Sequence, residues 1–420
     1  MSEKAKIITL DNGLRIITQK VEGAKTCSLG VWIASGSAYE MPETSGTSHF
    51  IEHILFRGTE TRSALDIAVE MDEIGGILNA YTAKEITCFY AHTLSEHAPK
   101  ALDIICDMIM NPKMSEDDIE LEKGVIKEEI ALYKDSPEDL CADTFYRNIW
   151  KSNMLGANIL GTEETVSTVT KESLSAHLKK FYVPERMVIS IGGSFDEETA
   201  IEICKKYFNG LKNTGFVISL NEAEYSAGIT RIKKNFMQNQ VIIGFPGVCL
   251  TDKRREAELL ISSILGAASS SRLFQHLREK LGLVYSIDSF SVSYLKSGVF
   301  TIGMGLNQKS EKQAIIETLK IISDFCNGVT EKELARAKEQ AVAGFVMDLE
   351  SISSRTSRNG RNLLLYGREI TEDEVINNIR SVTMEDIRKT ADEIFDFSKI
   401  SLCGAGKVKS EKTDKVILSI

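Results

Sequence analysis

The chain has 420 residues, more than one hydrophobic core usually organises, so two or more domains are expected. Apolar residues make up 43% and charged residues 26%, a composition that excludes a disordered chain and supports a large core. The net charge of −10 comes from acids and bases mixed along the sequence, without the Lys/Arg runs of a nucleic-acid or anionic-membrane footprint.

The opening "MSEKAKIITLDNGLRIITQK" has neither the apolar stretch of a signal peptide nor an Arg-rich amphipathic presequence, and no uninterrupted apolar run reaches about 18 residues. A cytoplasmic protein with no membrane span and no nucleic-acid partner is the expectation. Cys27, Cys88, Cys106, Cys141, Cys204, Cys249, Cys326 and Cys403 are spread singly among mostly apolar neighbours, which reads as buried free thiols rather than disulfides or thiolate metal ligands.

"TCSLGVWIASG" reads as a strand, and after a polar loop "SHFIEHILFRGT" has the period of a helix. His49 and His53 are one turn apart, about 40° around the axis, so both rings can reach one ion. Glu52 lies near the same face, where a carboxylate can take a proton from a water held by a metal. Two histidines on an ordinary helix are the simpler alternative. Their neighbours Phe50, Ile51, Ile54, Leu55 and Phe56 are apolar, however, and half-burying an unpaired carboxylate costs on the order of several kcal/mol. A bound cation removes that cost.

A helix follows in "ALDIAVEMDEIGG" and a strand in "ITCFYAHTL". The acidic helix "DDIELEKGVIKEEIALYKD" has an expected apolar stripe through Val125, Ile126 and Tyr133. Glu122 and Glu129, seven residues apart, share that stripe, whereas Glu120 and Glu128 point away among lysines. Glu129 is therefore taken as a third metal ligand, with Glu122 behind it, holding a ligand histidine. The other histidines are weaker candidates: His92 and His97 follow a strand, His177 sits on a helix that reads as solvated, and His276 is in the other half.

The second half repeats the first in outline. "QNQVIIGFPGVCLTDKRREAELLISSIL" parallels the segment that ends in "HFIEHILF", and "VTEKELARAKEQAVAGFVMDLESISSR" parallels the acidic helix. "VTMEDIRKTADEIFDFSKISLCGAG" parallels "VTKESLSAHLKKFYVPERMVISIGG", each with a threonine N-cap, Thr383 or Thr170. Two related domains, 1–215 and 216–420, are expected, joined near "LKNTGFVISLNEAEYSAG". Strands such as "GVFTIGMGL" interleaved with amphipathic helices such as "KQAIIETLKIISDFC" give an α+β class, a mostly antiparallel sheet with helices on one face in each domain. No histidine stands in "ELLISSIL", so only the first half carries the candidate site.

"HFIEH" resembles the inverted zinc motif His-x-x-Glu-His of the pitrilysin/insulinase metallopeptidases, the inverzincins, and Glu122 and Glu129 match that family's later pair of glutamates. The likeness continues through "GGILNAYTAKEITCFYA", "EKGVIKEEI" and "SSRLFQHLREKLGLVYS" and spans essentially the whole chain. It is to the short, two-domain branch that includes mitochondrial processing peptidase beta subunits and their bacterial homologues. The resemblance implies one Zn2+ per chain held by His49, His53 and Glu129, Glu52 as general base on a zinc-bound water, and Glu122 outside the ligands. It implies that Asn79, Ala80 and Tyr81 pair with an extended peptide as an edge strand, and that Arg278 and Tyr285 come over the zinc as two halves close like a clamshell. Unfolded peptides would be the substrates, cut in a closed chamber completed by a second chain, as a homodimer or as a heterodimer with an inactive homologue. A non-catalytic scaffold or peptide-binding subunit of the same fold is the alternative. The sequence departs from the family at "LGAAS", where relatives carry a glycine-rich stretch.

Overall fold

The computed structural model describes residues 4–215 and 219–407, the side chains of Cys326 and Asn327 excepted. Residues 216–218, inside the segment read as the link between halves, and the Cys326 thiol lie outside the described set.

The first sheet contains β1 (Lys6–Thr9), β2 (Arg15–Lys20), β3 (Thr26–Ile33), β4 (Ile77–Thr82), β5 (Thr87–Leu94) and β6 (Met187–Gly193). Their order is β1-β2-β6-β3-β5-β4, antiparallel except for the β2–β6 pair. The second contains β7 (Gly228–Lys233), β8 (Asn239–Gly247), β9 (Val284–Ser293), β10 (Gly298–Leu306) and β11 (Ser401–Gly406). Its order is β7-β11-β8-β10-β9, antiparallel except for β7–β11. With β1 set aside, the two sheets run through the same connections to the same order. The duplication read from weak sequence parallels is thus a duplication of topology. Thr170 and Thr383 do cap their helices, accepting the N–H of Ser173 and of Asp386, and each is answered by a reciprocal bond to its own N–H.

Strand alternation decides where the first core lies. Cys27, Leu29, Val31 and Ile33 of β3 face the helices Thr47–Leu55, Ala98–Met110 and Lys171–Phe181, where they meet Phe50, Ile54, Leu102, Ile105 and Leu174. The opposite face is also buried: Trp32 packs there with Ile86 and Cys88, and Ile17 packs with Val188. Its cover comes from the far end of the sequence, the Ile352–Tyr366 helix, through Leu363, Leu364 and Leu365. The first compact unit accordingly includes residues Val346–Thr371, and the second includes Ala131–Ala157. In the second unit the Pro137–Ile149 helix lies on β8 and β11, with Asn148 donating to Thr230 Oγ1 at 2.7 Å.

The Ile352–Tyr366 helix approaches β3 so closely that a Cβ on Gly360 would lie 2.4 Å from Trp32 Cε3. Gly360→Ala is expected to destabilise the first unit by about 1–3 kcal/mol, because the indole cannot retreat from a packed face. An unchanged thermal midpoint would rule that packing out.

The seven described cysteines are free; six are buried and Cys249 is half-buried. Among the described residues no helix is long and apolar enough to cross a membrane.

Candidate metal centre

The Thr47–Leu55 helix is fixed at its start by Glu40, a residue the sequence reading passed over. One Glu40 oxygen accepts the Gly46 N–H at 2.7 Å and the other the Ser48 N–H at 2.6 Å, satisfying donors that a helix N-terminus otherwise leaves open. Gly46 has φ 93° and sits against the Leu160 carbonyl, where a Cβ would come within 2.6 Å. His177, expected on a solvated helix, is in fact buried: its Nε2 lies 2.9 Å from Ser35 Oγ, and its ring packs on Phe181. It steadies this end of the helix and takes no part in the histidine cluster.

From that anchored helix His49 and His53 project side by side, ring centroids 4.6 Å apart. The Glu116–Asp135 helix brings Glu129 to them: its Oε2 lies 3.6 Å from His49 Nε2 and 3.6 Å from His53 Nε2. One atom from each of the three lies within 4.8 Å of the others. At 3.6 Å there is no hydrogen bond. Ligands about 2.0–2.1 Å from a tetrahedral zinc stand about 3.4 Å from one another, so the spacing is that of donors around an ion.

Protonation fits the same picture. Burial, then the neighbouring His53 charge, pulls His49 down to about 3, so its ring is neutral and free to donate a lone pair. His49 Nδ1 is buried with no partner among the described residues, so the ring has no protein contact that would turn Nε2 away from the cluster. Burial raises the Glu129 carboxyl against the opposing pull of His53. The donor set of two imidazoles and one carboxylate suits a divalent cation such as zinc.

Glu122 stands behind His53. Its Oε2 lies 2.8 Å from His53 Nδ1, and its Oε1 accepts from Arg57 Nε, which fixes the orientation of the ring and directs Nε2 toward Glu129. Burial lowers and Glu122 more than restores the His53 pKa; burial likewise opposes the ionised Glu122, but the bonds from His53 and Arg57 hold it low. Arg57 lies four residues beyond His53, one helical turn on, which is the signal in the sequence that could have found it.

The apolar stripe of the Glu116–Asp135 helix needs correcting. Ile119, Ile126 and Ile130 are its buried apolar residues, while Val125 and Tyr133 are exposed. The face is centred one position away from the expected line, which buries Glu122 to 2% exposure and leaves Glu129 at its flank, where an ion is reachable.

Glu52 completes the cluster on the side toward β4. Thr82 Oγ1 donates to its Oε2 at 2.5 Å. Burial raises the Glu52 pKa, with Thr82 opposing. Beside it a cavity of about 390 Å³ is lined by Glu52, His53, Phe56, Arg57, Asn79, Glu122 and Val125.

β4 forms the edge of its sheet. Ala83 N–H donates to the Ile86 carbonyl, so Tyr81 and Asn79 bond to Cys88 and Tyr90, whereas Leu78, Ala80 and Thr82 turn their main-chain groups off the edge. Of the three strand residues singled out, Ala80 offers its backbone; its N–H meets the Asn79 side-chain oxygen at 2.8 Å. Arg278 and Tyr285 lie in the second unit, both exposed, Arg278 over the Phe274 ring and Tyr285 on β9.

The family described as Insulinase (Peptidase family M16) matches residues 15–163, and Peptidase M16 inactive domain matches residues 168–341. An uncharacterized zinc protease of Bacillus subtilis is 38% identical over 96% of this chain and 100% of its own length. The chain belongs to peptidase family M16. Another M16 relative, an uncharacterized zinc protease of Rickettsia felis, is 36% identical over 94% of this chain and 96% of its own. Solved structures give the same M16 fold: a protease from Helicobacter pylori has a TM-score of 0.86 at 22% identity, covering 96% of this chain and 99% of its own. A Pseudomonas fluorescens protein described as a peptidase M16 inactive domain reaches 0.90 at 17%, covering 97% and 99%.

Proposed function

We propose that this chain is a zinc-dependent endopeptidase that cleaves extended peptides, with Glu52 as general base. The observation that carries the reading is the meeting of His49 Nε2, His53 Nε2 and Glu129 Oε2 without hydrogen bonds between them, beside the half-buried Glu52, which is bonded to Thr82 at the end of an open sheet edge.

The zinc ligands would be His49, His53 and Glu129, one ion per chain, with Glu122 orienting His53. When bound, the ion supplies Lewis acidity, polarising a carbonyl and lowering the pKa of a water toward about 7. Glu52 takes the proton from the attacking water and returns it to the leaving amine; its raised pKa suits both directions of transfer. The substrate lies along β4 as an added strand, its main chain on Ala80 and Leu78 and its side chains near Asn79 and Tyr81. On the family resemblance, Arg278 and Tyr285 stabilise the oxyanion, and a second copy of the chain completes a chamber that folded proteins cannot enter.

Metal removal tests this reading. The purified chain should hold one zinc and cleave an unstructured peptide; dialysis against a chelator should abolish cleavage, and stoichiometric zinc should restore it. Bound zinc with tight peptide binding but no cleavage would favour the peptide-binding subunit instead.

A further inference from the structure

Glu52 sits on a helix and Thr82 ends a strand 30 residues later, yet they share a short hydrogen bond. The Thr82 hydroxyl donates to Glu52 at 2.5 Å, and the Thr82 backbone N–H is turned off the sheet edge because Thr82 stands opposite Thr87 in the unbonded register. Among the described residues the Thr82 hydroxyl is the hydrogen-bond donor to Glu52. Tyr182, whose hydroxyl is buried without a partner, and Cys88 lie within electrostatic reach but do not hold it.

A glutamate has three side-chain torsions, and one in a half-open cavity samples several rotamers unless something fixes it. Thr82 supplies the fixing group from the strand whose neighbouring residues, Leu78 and Ala80, present main-chain groups to a peptide. Base and substrate are then referred to one rigid element. We infer that Thr82 is the positioning residue for Glu52, setting the carboxylate at a fixed place relative to a peptide laid along β4. The inference rests on the peptidase reading above and adds to it a residue that touches neither the ion nor the scissile bond.

Thr82→Val tests it, since valine keeps the β-branched shape and strand preference but removes the hydroxyl. Misplacing a reacting group by about 1 Å can cost 10²-fold, so kcat on an unstructured peptide should fall on the order of 10- to 100-fold. KM should stay within about threefold of wild type, because peptide binding is unaltered. Zinc content should not change. Thr82→Ser, which restores the donor, should recover most of kcat, and Thr82→Ala should fall with Thr82→Val. If wild type cleaves and Thr82→Val matches it, or if Thr82→Ser is as impaired as Thr82→Val, the inference fails alone. A zinc-loaded wild type that cleaves no extended peptide overturns the peptidase reading and this inference with it.

Discussion

Glu52→Gln is expected to keep its zinc and to lose peptide hydrolysis by on the order of 10²- to 10⁴-fold. Glutamine has the same shape, and its carbonyl oxygen still accepts from the Thr82 hydroxyl, so the cavity keeps its walls. What disappears is the carboxylate proposed to take a proton and return it. His53→Ala should behave differently. It removes one of the three converging donors and leaves Glu122, a carboxylate with 3% of its side chain exposed, facing the gap with only Arg57 to neutralise it. Zinc should dissociate during dialysis and activity should go with it. Measuring metal content beside turnover separates the two cases: hydrolysis at the wild-type rate by Glu52→Gln would remove Glu52 as the base, and zinc retained by His53→Ala would remove His53 from the ligands.

The convergence of His49, His53 and Glu129 was legible in the sequence because its signals are local. Two histidines one helical turn apart can face one point, and Glu122 and Glu129 two turns apart can share a helix face, only if each segment is a helix, and apolar periodicity is strong evidence for one. The capped helices at Thr170 and Thr383 were legible for the same reason. Contacts between distant segments were harder to read. The bond from Thr82 to Glu52 joins residues whose local patterns say nothing of each other. Likewise, nothing in the alternation of β3 says what covers Trp32, and the covering helix lies more than 300 residues later. The misplaced stripe on the Glu116–Asp135 helix has another cause. Val125 and Tyr133 are apolar enough to look buried, but both are exposed, and Val125 lines the cavity beside Glu52 and His53.

In the duplicated topology the Arg255–Leu265 helix takes the place of the Thr47–Leu55 helix; it has no histidine and carries Glu258. Glu258 is fully buried; one oxygen accepts the Val248 N–H at 3.4 Å, and the other has no partner among the described residues. Burial pushes its pKa up from 4.5 to about 7, against smaller opposing pulls from the Ser291 hydroxyl and the Val248 N–H. The sign follows from linkage. A raised pKa means that the folded state holds the proton more tightly than the unfolded chain. The stabilisation is therefore complete below about pH 4.5, declines as pH rises, and is lost above about pH 7. The span corresponds to on the order of 3 kcal/mol. Glu258→Gln keeps the neutral shape at every pH. Its stability should match wild type near pH 4.5 and exceed it by on the order of 3 kcal/mol at pH 8.5, read as the denaturation midpoint at the two values. If the variant and the wild type lose stability equally between those pH values, the buried carboxyl is not what makes the second unit sensitive to pH.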